Sequence, residues 1–402
     1  MRGHVVVAPD KFKGSLTAPE VAAHLVAGLG EAPSVVLPVA DGGDGTVDAV
    51  VACGFSRVSV EVAGPTGERV LASYAVLGET AVVEMAEASG LRRLPGGPAA
   101  LRADSFGTGE LIAHAVRGGA RKIVLGLGGS ACTDGGTGLV RALGVRFLDA
   151  SGNDLPPGGG ALRDLATIDI SGFMAGIREI SRNEGHAHAV DAVAGLEFVV
   201  ASDVDNPLLG PYGAAAVYGP QKGASAEEVK ALEAGLARLA AVAVHTHGLA
   251  GSVEHDGVVR SMGVAGQPGA GAAGGTGFAA LAFLHAEIRP GIAYLLDLLG
   301  FDDHVRDARL VITGEGSLDE QSLRGKAPIG VATAAARYGV PVVAVCGRRT
   351  LPDEELRKAG IEAAYALTDL EPDVAVCMSN PGPLLERLAA TIAAAHLEDS
   401  GE

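Results

Sequence analysis

Apolar positions near both ends of the chain alternate between strand and helix patterns. The opening stretch "HVVVAPDKFKGSLTAPEVAAHLVAGL" predicts a β-branched strand, a turn, and a helix whose apolar residues recur at helical spacing. Near the other end, the pattern predicts a strand over 310–313, a long polar loop, a helix from roughly Pro328 to Tyr338, and a strand over 341–346. Strands and helices in this order predict a parallel sheet covered by helices.

The middle of the chain follows a different pattern. The segment "SVEVAGPTGERVLASYAVLGETAVVEMAEASG" contains three short strand-like runs separated by Gly and Pro turns, which predicts a mixed or antiparallel sheet. Because strand–helix–strand signals return only after about Arg289, we expect a discontinuous fold. Residues 1–60 and 289–402 would form one α/β domain, and residues 61–288 would form a second α/β domain inserted into it.

One segment of the insert contains two closely spaced histidines that could in principle bind a metal ion. Residues 178–195 have irregular polarity and predict a surface excursion. His186 and His188 within it lack further ligands in the sequence, so solvated histidines are favoured over a metal site.

Charge and cysteine usage narrow the class of protein. The 402 residues include 31 Lys plus Arg and 48 Asp plus Glu, a net charge of −17, which argues against general affinity for nucleic acid or anionic lipid. Four scattered cysteines without a C-x-x-C pair favour a reducing cytoplasm. We recognise no secretory leader and no apolar run long enough to span a bilayer, so a cytoplasmic protein without a membrane partner is expected.

Six loops concentrate the residues that could bind a ligand. Most of them lie between a strand-like run and a helical run, where ligands bind in α/β domains and where glycine lets backbone N–H groups approach phosphate. Together they predict an anion-binding crevice. The loops are "APDKFKGS" (8–15), "VADGGDGT" (39–46), "SFGTGE" (105–110), "GLGGSACTDGGTG" (126–138), "ASDVDNPLLGPYGAAAVYGPQKGAS" (201–225) and "TGEGSLDEQSLRGKAP" (313–328).

The charged residues of these loops indicate a nucleotide with a metal ion. Four of the seven lysines lie in them, although arginine is the more common cation of the chain, and an ammonium group suits phosphate oxygens. Carboxylates in the same loops would repel phosphate unless a cation such as Mg²⁺ lay between them. The lysines are Lys11, Lys13, Lys222 and Lys326, and the acids are Asp41, Asp44, Asp203, Asp205, Glu315 and Asp319.

A dinucleotide-binding fingerprint competes with this interpretation. Gly126, Gly128 and Ala131 satisfy G-x-G-x-x-A after a predicted strand, and Asp149 lies near the position expected for ribose recognition. An NAD(P)-dependent hydroxy-acid oxidoreductase is therefore an alternative. Asp134 counts against it, because its charge would lie beside the pyrophosphate, and no Walker motif points to a standard P-loop.

The motifs, in order, resemble the glycerate kinase type I family. The resemblance rests on "VVVAPDKFKGSLTA", "PVADGGDGT", "GLGGSACTDGGTG", "ASDVDNPLLGPYGAAAVYGPQKGA", "GAAGGTGFAALAFLHAEIRPG" and "VITGEGSLDEQSLRGKAPIGVA", from residue 5 to about 333. It implies transfer of a phosphoryl group from ATP to D-glycerate with Mg²⁺ as cofactor, with the C2 hydroxyl favoured over C3. It also implies a Rossmann-like or flavodoxin-like α/β domain, a second α/β domain, and an active-site cleft between them.

Chemistry then assigns expected roles to the loop residues. Lys13 and Lys326 would bind phosphate oxygens or the glycerate carboxylate, and Asp41 and Asp203 would hold Mg²⁺. Asp319 or Asp205 would accept the proton of the attacking hydroxyl, and the sequence does not rank the two. The other residues expected to bind substrate or phosphate are Ser15, Gly42, Gly43, Gly128, Gly129, Ser130, Asp134, Gly135, Asn206, Lys222 and Glu315.

The chain departs from the family pattern at one place in these loops. Family members usually read S-A-T-N-D-G-G where this chain reads "SACTDGG", so Cys132 and Thr133 replace Thr and Asn.

A non-catalytic sugar-acid sensor is the remaining alternative function, although the sequence shows no basic module that could read DNA. A homodimer stays open.

Overall fold

The computed structural model describes residues 3–175, 195–247, 253–255, 258–260 and 263–397. His186 and His188 lie outside these residues. The chain divides into two compact units: unit 1 comprises Met1–Asp41, Gly45–Phe55 and Pro290–Glu402, and unit 2 comprises Gly42–Asp44 and Ser56–Arg289.

The strands and helices of the described residues are numbered in chain order. The strands are β1 His4–Pro9, β2 Ser34–Val36, β3 Ser56–Ala63, β4 Arg69–Leu77, β5 Thr80–Glu84, β6 Lys122–Gly126, β7 Arg146–Leu148, β8 Thr167–Asp169, β9 Glu197–Ala201, β10 Val253–His255, β11 Val258–Arg260, β12 Glu287–Arg289, β13 Ala308–Leu318, β14 Val342–Arg349 and β15 Ala363–Ala366. The helices are α1 Ala18–Leu29, α2 Thr46–Ala52, α3 Met85–Ser89, α4 Phe106–Arg117, α5 Thr137–Ala142, α6 Ala214–Tyr218, α7 Ala226–His247, α8 Ala272–Phe283, α9 Gly291–Leu298, α10 Phe301–Val305, α11 Ala327–Ala336, α12 Asp353–Lys358, α13 Val374–Ser379 and α14 Pro381–His396.

Unit 1 is built on a parallel sheet with the strand order β15-β14-β13-β1-β2. Alternate residues of β1 point to opposite faces, as the two-residue period of a strand requires. Val5 and Val7 pack in a core with α1 and α14, whereas Val6 and Ala8 pack in a second core with α9 and α11. Both faces are therefore covered by helices, which confirms the predicted parallel α/β arrangement.

Strand β13 is longer than the sequence pattern predicts. The glycines and acids of "TGEGSL" favour a loop, but β13 continues to Leu318 because Ser317 and Leu318 pair with Arg348 and Arg349 of β14. The prediction of a loop after residue 313 was therefore wrong for residues 314–318, which continue the strand. As a result, Glu315 lies on the central strand of the sheet, where it pairs with Cys346 of β14.

Unit 2 is built on a mixed sheet with the strand order β12-β9-β6-β5-β4-β3. Strands β12, β9, β6 and β5 are parallel, and β5, β4 and β3 form an antiparallel meander. The meander contains the three runs read from the sequence and confirms a second α/β fold with a mixed sheet. Its core includes Leu111, Ile123, Leu125 and Leu139.

Two further features concern the whole of the described chain. No helix in the ranges given above is both long and apolar enough to cross a membrane. All four cysteines are free thiols, and three of them are buried.

Candidate active site

Three carboxylates of unit 1 follow neighbouring strands of its parallel sheet. Glu315 lies on β13, Asp10 follows β1, and Asp41 follows β2. The amide of Asp10 donates to the carbonyl of Gly314 at 2.8 Å, and that of Val39 donates to the carbonyl of Pro9 at 3.0 Å, so the chain stays in register past the strand ends. The carboxyl ends of parallel strands meet at one edge of a sheet, which is the usual ligand-binding edge of an α/β domain.

Asp10 is the residue of this edge that the sequence analysis missed. It is 7% exposed, and burial raises the pKa of its carboxyl to about 7. The ammonium group of Lys11, 3.6 Å from Asp10 Oδ1, lowers that pKa, while the charges of Asp41 and Glu315 raise it. The available signal was its position directly after a buried strand, which also applies to many turn residues.

We predict that Asp10→Asn makes unit 1 more stable at neutral and alkaline pH. The folded protein raises the pKa of Asp10 from 3.8 to about 7, so ionisation of this group costs stability progressively between these values. The variant should match the wild type below about pH 4 and exceed it by on the order of 2–4 kcal/mol above pH 7. Urea unfolding at a series of pH values measures the difference.

Asp149→Asn is the matched control for this prediction. Asp149 is exposed, and hydrogen bonds from Asn153 and neighbouring backbone amides lower the pKa of its carboxyl. Its contribution to stability is present above its unfolded pKa and is lost as the pH falls through the folded pKa, so the control should change in the opposite direction. An effect of Asp10→Asn on stability that does not change with pH would contradict the raised pKa of the Asp10 carboxyl.

Glu315 is bonded to the segment that connects β13 to α11. The hydroxyl of Ser322 donates to Glu315 Oε1, and Lys326 Nζ lies 3.9 Å from Glu315 Oε2. Burial raises the pKa of Glu315, and the bond from Ser322 and the charge of Lys326 partly oppose this. Lys326 occupies the N-cap position of α11 and is about one third exposed, so its ammonium group is fixed at the edge but open to solvent.

The remaining predicted site residues of unit 1 differ in exposure and in the hydrogen bonds that their side chains already form. Asp319 is half-buried, and its carboxylate accepts hydrogen bonds from Gln321 N at 2.9 Å and from Ser317 Oγ at 3.3 Å. Lys13 is exposed, and its backbone lies beside Gly316. Ser15 donates its hydroxyl to the carbonyl of Met378 at 2.8 Å, a contact that holds its own loop.

Glycines of unit 2 allow loops at the ends of β6 and β9 to pack closely. A Cβ on Gly42, which has φ +85°, would lie 2.2 Å from the carbonyl oxygen of Ala201. A Cβ on Gly128 would lie 2.3 Å from Gly43 Cα, and Gly128 N donates to Gly42 O at 3.2 Å. Backbone packing therefore accounts for Gly42 and Gly128, and contact of Gly42, Gly43 and Gly128 with phosphate stays a prediction.

Asp134 is the buried centre of the glycine-rich loop that follows β6. Its Oδ2 accepts from Ser105 Oγ at 2.7 Å and from the amides of Ser105 and Gly138 at 3.0 Å. Its Oδ1 accepts from Gly136 N at 3.0 Å, and the residue has no exposed surface. These bonds connect the loop to the start of α4, so a direct ligand contact, as predicted, would require the loop to open.

The other predicted residues of this loop and of the 201–225 loop vary in exposure. Gly129 is exposed, whereas Ser130 and Gly135 are buried, and both glycines have positive φ. Lys222, which the sequence analysis expects to bind substrate or phosphate, is 2% exposed.

The loop after β9 carries the remaining acidic residues of the prediction. Asp203 and Asp205 are exposed. Asn206 Nδ2 donates to the carbonyl of Tyr212 at 2.8 Å, and Asn206 Oδ1 accepts from the hydroxyl of Tyr218 at 2.6 Å. Asn206 thus holds the loop, and the two aspartates face solvent.

Thr133 provides a stability test in the loop where the chain departs from the family pattern. Its Oγ1 is buried and has no hydrogen-bond partner in the described part of the chain, whereas buried Thr108 Oγ1 donates to Ser89 Oγ at 2.9 Å. We predict that Thr133→Val leaves the free energy of unfolding unchanged or raises it by about 1 kcal/mol, because no hydrogen bond compensates for the desolvation of the buried hydroxyl. The matched variant Thr108→Val should lower it by about 1–2 kcal/mol. Equal losses in both variants would contradict this.

The dinucleotide alternative lacks its structural context. In a Rossmann unit the helix starts at the glycine turn, but α5 starts only at Thr137. Asp149 follows β7, which pairs with β8 in a separate two-stranded antiparallel sheet. The acid is therefore not placed at the edge of the parallel sheet as ribose recognition requires.

Carboxylates, an ammonium group and glycine-rich loops at the carboxyl ends of parallel strands are typical of α/β enzymes that bind small anionic ligands. Comparisons with known proteins give the family. The sequence model of the glycerate kinase family matches residues 5–397, so the chain belongs to this family.

Individual relatives agree over almost the whole chain. A glycerate kinase of Bacillus subtilis is 41% identical over 398 residues, 97% of each chain. A glycerate 2-kinase of Escherichia coli is 42% identical over 375 residues, 90% of each chain. The solved structure assigned as glycerate kinase 2 from Salmonella typhimurium LT2 is similar with a TM-score of 0.78 and 39% identity, covering 98% of each chain.

These comparisons confirm the resemblance, the two-part α/β fold and the assignment as a kinase enzyme. Kinase chemistry in this family implies ATP as the phosphate donor. The oxidoreductase and sensor alternatives are not supported. The shared cleft and the individual roles of the site residues stay predictions.

Proposed function

We propose that this protein transfers the γ-phosphoryl group of ATP to the C2 hydroxyl of D-glycerate, giving 2-phosphoglycerate and ADP. The observation that carries the proposal is the family match from residue 5 to residue 397, together with relatives near 40% identity. The preference for C2 is supported by the E. coli relative, which is a glycerate 2-kinase and is 42% identical.

The acidic side chains predicted for the site suit a divalent cation that arrives with a phosphate group. Among the described residues no group of three or more His, Cys, Asp or Glu side chains is placed to hold a metal by itself. Mg²⁺ typically takes one or two carboxylates and completes its coordination with water and phosphate oxygens, so this donor set suits Mg²⁺ that arrives with ATP. When bound, the ion would neutralise charge on the transferring phosphate. We keep Asp41 and Asp203 as its proposed ligands.

The protein side chains would supply positioning and charge. Phosphoryl transfer needs little covalent chemistry, because charge spreads over the phosphoryl oxygens in the transition state. Lys326 and Lys13 have solvent-accessible side chains and are proposed to bind anionic oxygens of the substrates. Either Asp205, which is exposed, or Asp319, which is half-buried, is proposed as the acceptor of the hydroxyl proton.

We also propose a cytoplasmic site of action and leave a homodimer as the assembly to test. Four free cysteines, three of them buried, suit a reducing compartment. Light scattering coupled to size exclusion measures the assembly directly.

A coupled ADP-release assay tests the proposed function. We expect ADP release that depends on D-glycerate, falls with EDTA, and is weaker with tartronate or simple sugars as acceptors. The same protein with NAD(P)⁺ and glycerate should give no change in nicotinamide absorbance. ADP release that is independent of glycerate, or reduction of NAD(P)⁺, would overturn the proposal.

A further inference from the structure

Lys222 is a buried cation whose partners are neutral oxygens. Its Nζ donates to Ser130 Oγ at 2.9 Å and to the carbonyl of Cys132 at 2.5 Å. Burial lowers the pKa of Lys222, and the neighbouring Cys132 and Asp134 oppose this. Burying an ammonium group costs free energy unless hydrogen bonds or an opposite charge compensate for the lost hydration. A buried lysine with neutral hydrogen-bond partners is therefore a candidate for a functional role.

The hydrogen bond from Lys222 determines how Ser130 can bond. An ammonium group can only donate, so Ser130 Oγ accepts from it and must direct its own hydrogen elsewhere. Within the described ranges no protein acceptor takes that hydrogen, and Ser130 is 6% exposed. The hydroxyl is therefore a polarised donor on a mostly buried residue, with its hydrogen available to a bound molecule.

The backbone around Ser130 is fixed by a neighbouring segment. Ser130 forms an isolated antiparallel bridge with Gly90, flanked by bonds from Leu91 N to Gly129 O and from Ala131 N to Ser89 O, both at 2.9 Å. In such a pair the bridged residue does not use its own amide for the pairing. The side chain and amide of Ser130 are thus two donors held at the carboxyl end of β6, where ligands bind in α/β domains.

We infer that Lys222 is a positioning residue that keeps the Ser130 hydroxyl as a donor to an anionic oxygen of a substrate. The inference rests on the proposed function and replaces the predicted direct contact between Lys222 and phosphate. The oxygen belongs to either the glycerate carboxylate or an ATP phosphate, two sources with the same chemistry. The ammonium group acts through Ser130, because Lys222 is almost completely enclosed.

Steady-state kinetics with each substrate varied in turn tests the inference. Ser130→Ala should raise the KM of one substrate by about tenfold or more, the expected loss for a hydrogen bond to a charged group, with kcat changed less than about threefold. A raised KM for D-glycerate assigns the carboxylate, and a raised KM for ATP assigns the phosphate. Ser130→Thr keeps the hydroxyl and should restore the KM to within about threefold.

Lys222→Met should raise the same KM, and the double variant should be no worse than the more impaired single variant, because both changes remove one contact. Lys230→Met and Ser151→Ala, at exposed positions, serve as controls. If Lys222→Met does not fold, comparison of Ser130→Ala with Ser130→Thr still decides whether the Ser130 hydroxyl donates to a substrate.

Calorimetric titration with D-glycerate and with ATP separates the inference from the proposed function. A wild type that turns over glycerate, with Ser130→Ala unchanged in both KM values, overturns the inference alone. An inactive wild type overturns the proposed function, and tenfold weaker binding of either compound to Ser130→Ala would then still support the inference. If Ser130→Ala binds both compounds as the wild type does, or if the wild type binds neither compound, the inference is overturned.

Discussion

Lys326→Ala is expected to lower kcat/KM for glycerate phosphorylation by at least about two orders of magnitude, equivalent to about 3 kcal/mol of transition-state stabilisation. The ammonium group stands at the N-cap of α11, is partly open to solvent, and lies 3.9 Å from buried Glu315. A charge held at the carboxyl edge of the sheet can stabilise a transferring phosphate without first being reoriented. Stopped-time ADP measurements over a range of both substrates give the ratio.

Two measurements separate the catalytic effect of Lys326 from structural damage. The matched variant Lys358→Ala removes an exposed ammonium group that pairs with Glu354 and Glu355 within one helix, and it should leave kcat/KM unchanged. Urea unfolding should show that Lys326→Ala remains folded under assay conditions. Turnover of that variant within threefold of the wild type would refute the role.

Asp134→Ala is expected to lower the free energy of unfolding by about 3–5 kcal/mol. The substitution leaves three backbone amides and the hydroxyl of Ser105 without their buried acceptor. Asp134→Asn should also destabilise, by about 2 kcal/mol or more, because one carbonyl oxygen cannot accept all four bonds. Denaturant unfolding followed by far-UV circular dichroism measures both values.

Asp164→Ala is the control for the Asp134 prediction. The side chain of Asp164 is 67% exposed and lies 3.9 Å from Arg163, so its removal should change stability by no more than about 0.5 kcal/mol. A loss below 1 kcal/mol in Asp134→Ala would show that the loop does not depend on this carboxylate.

The fold was largely predictable because its signals are local. Apolar runs followed by helical spacing marked β1 with α1, and α11 with β14, and glycine turns marked the meander of β3 to β5. The extent of β13 could not be read in the same way. Its last residues are strand only because they pair with Arg348 and Arg349, and pairing with a later segment leaves no mark in the segment itself.

The candidate site was predictable by location more than by role. The loops that follow β1, β2 and β6 were identified from their glycines and charges. The sequence shows Lys222 in a glycine-rich loop, but its burial depends on contacts with Ser130 and Cys132, about 90 residues away in the chain. The link between Asp134 and Ser105 spans 29 residues and is likewise invisible to spacing. Asp10 was missed because its burial depends on strands from the other end of the chain.

Phosphorus NMR of the complete reaction tests the central claim most directly. The protein is mixed with D-glycerate, ATP and Mg²⁺, and the spectrum is followed over time. The account predicts that the γ-phosphate resonance of ATP declines while that of 2-phosphoglycerate grows in equal amount. Release of the γ-phosphate as inorganic phosphate, or a spectrum that does not change, would contradict it.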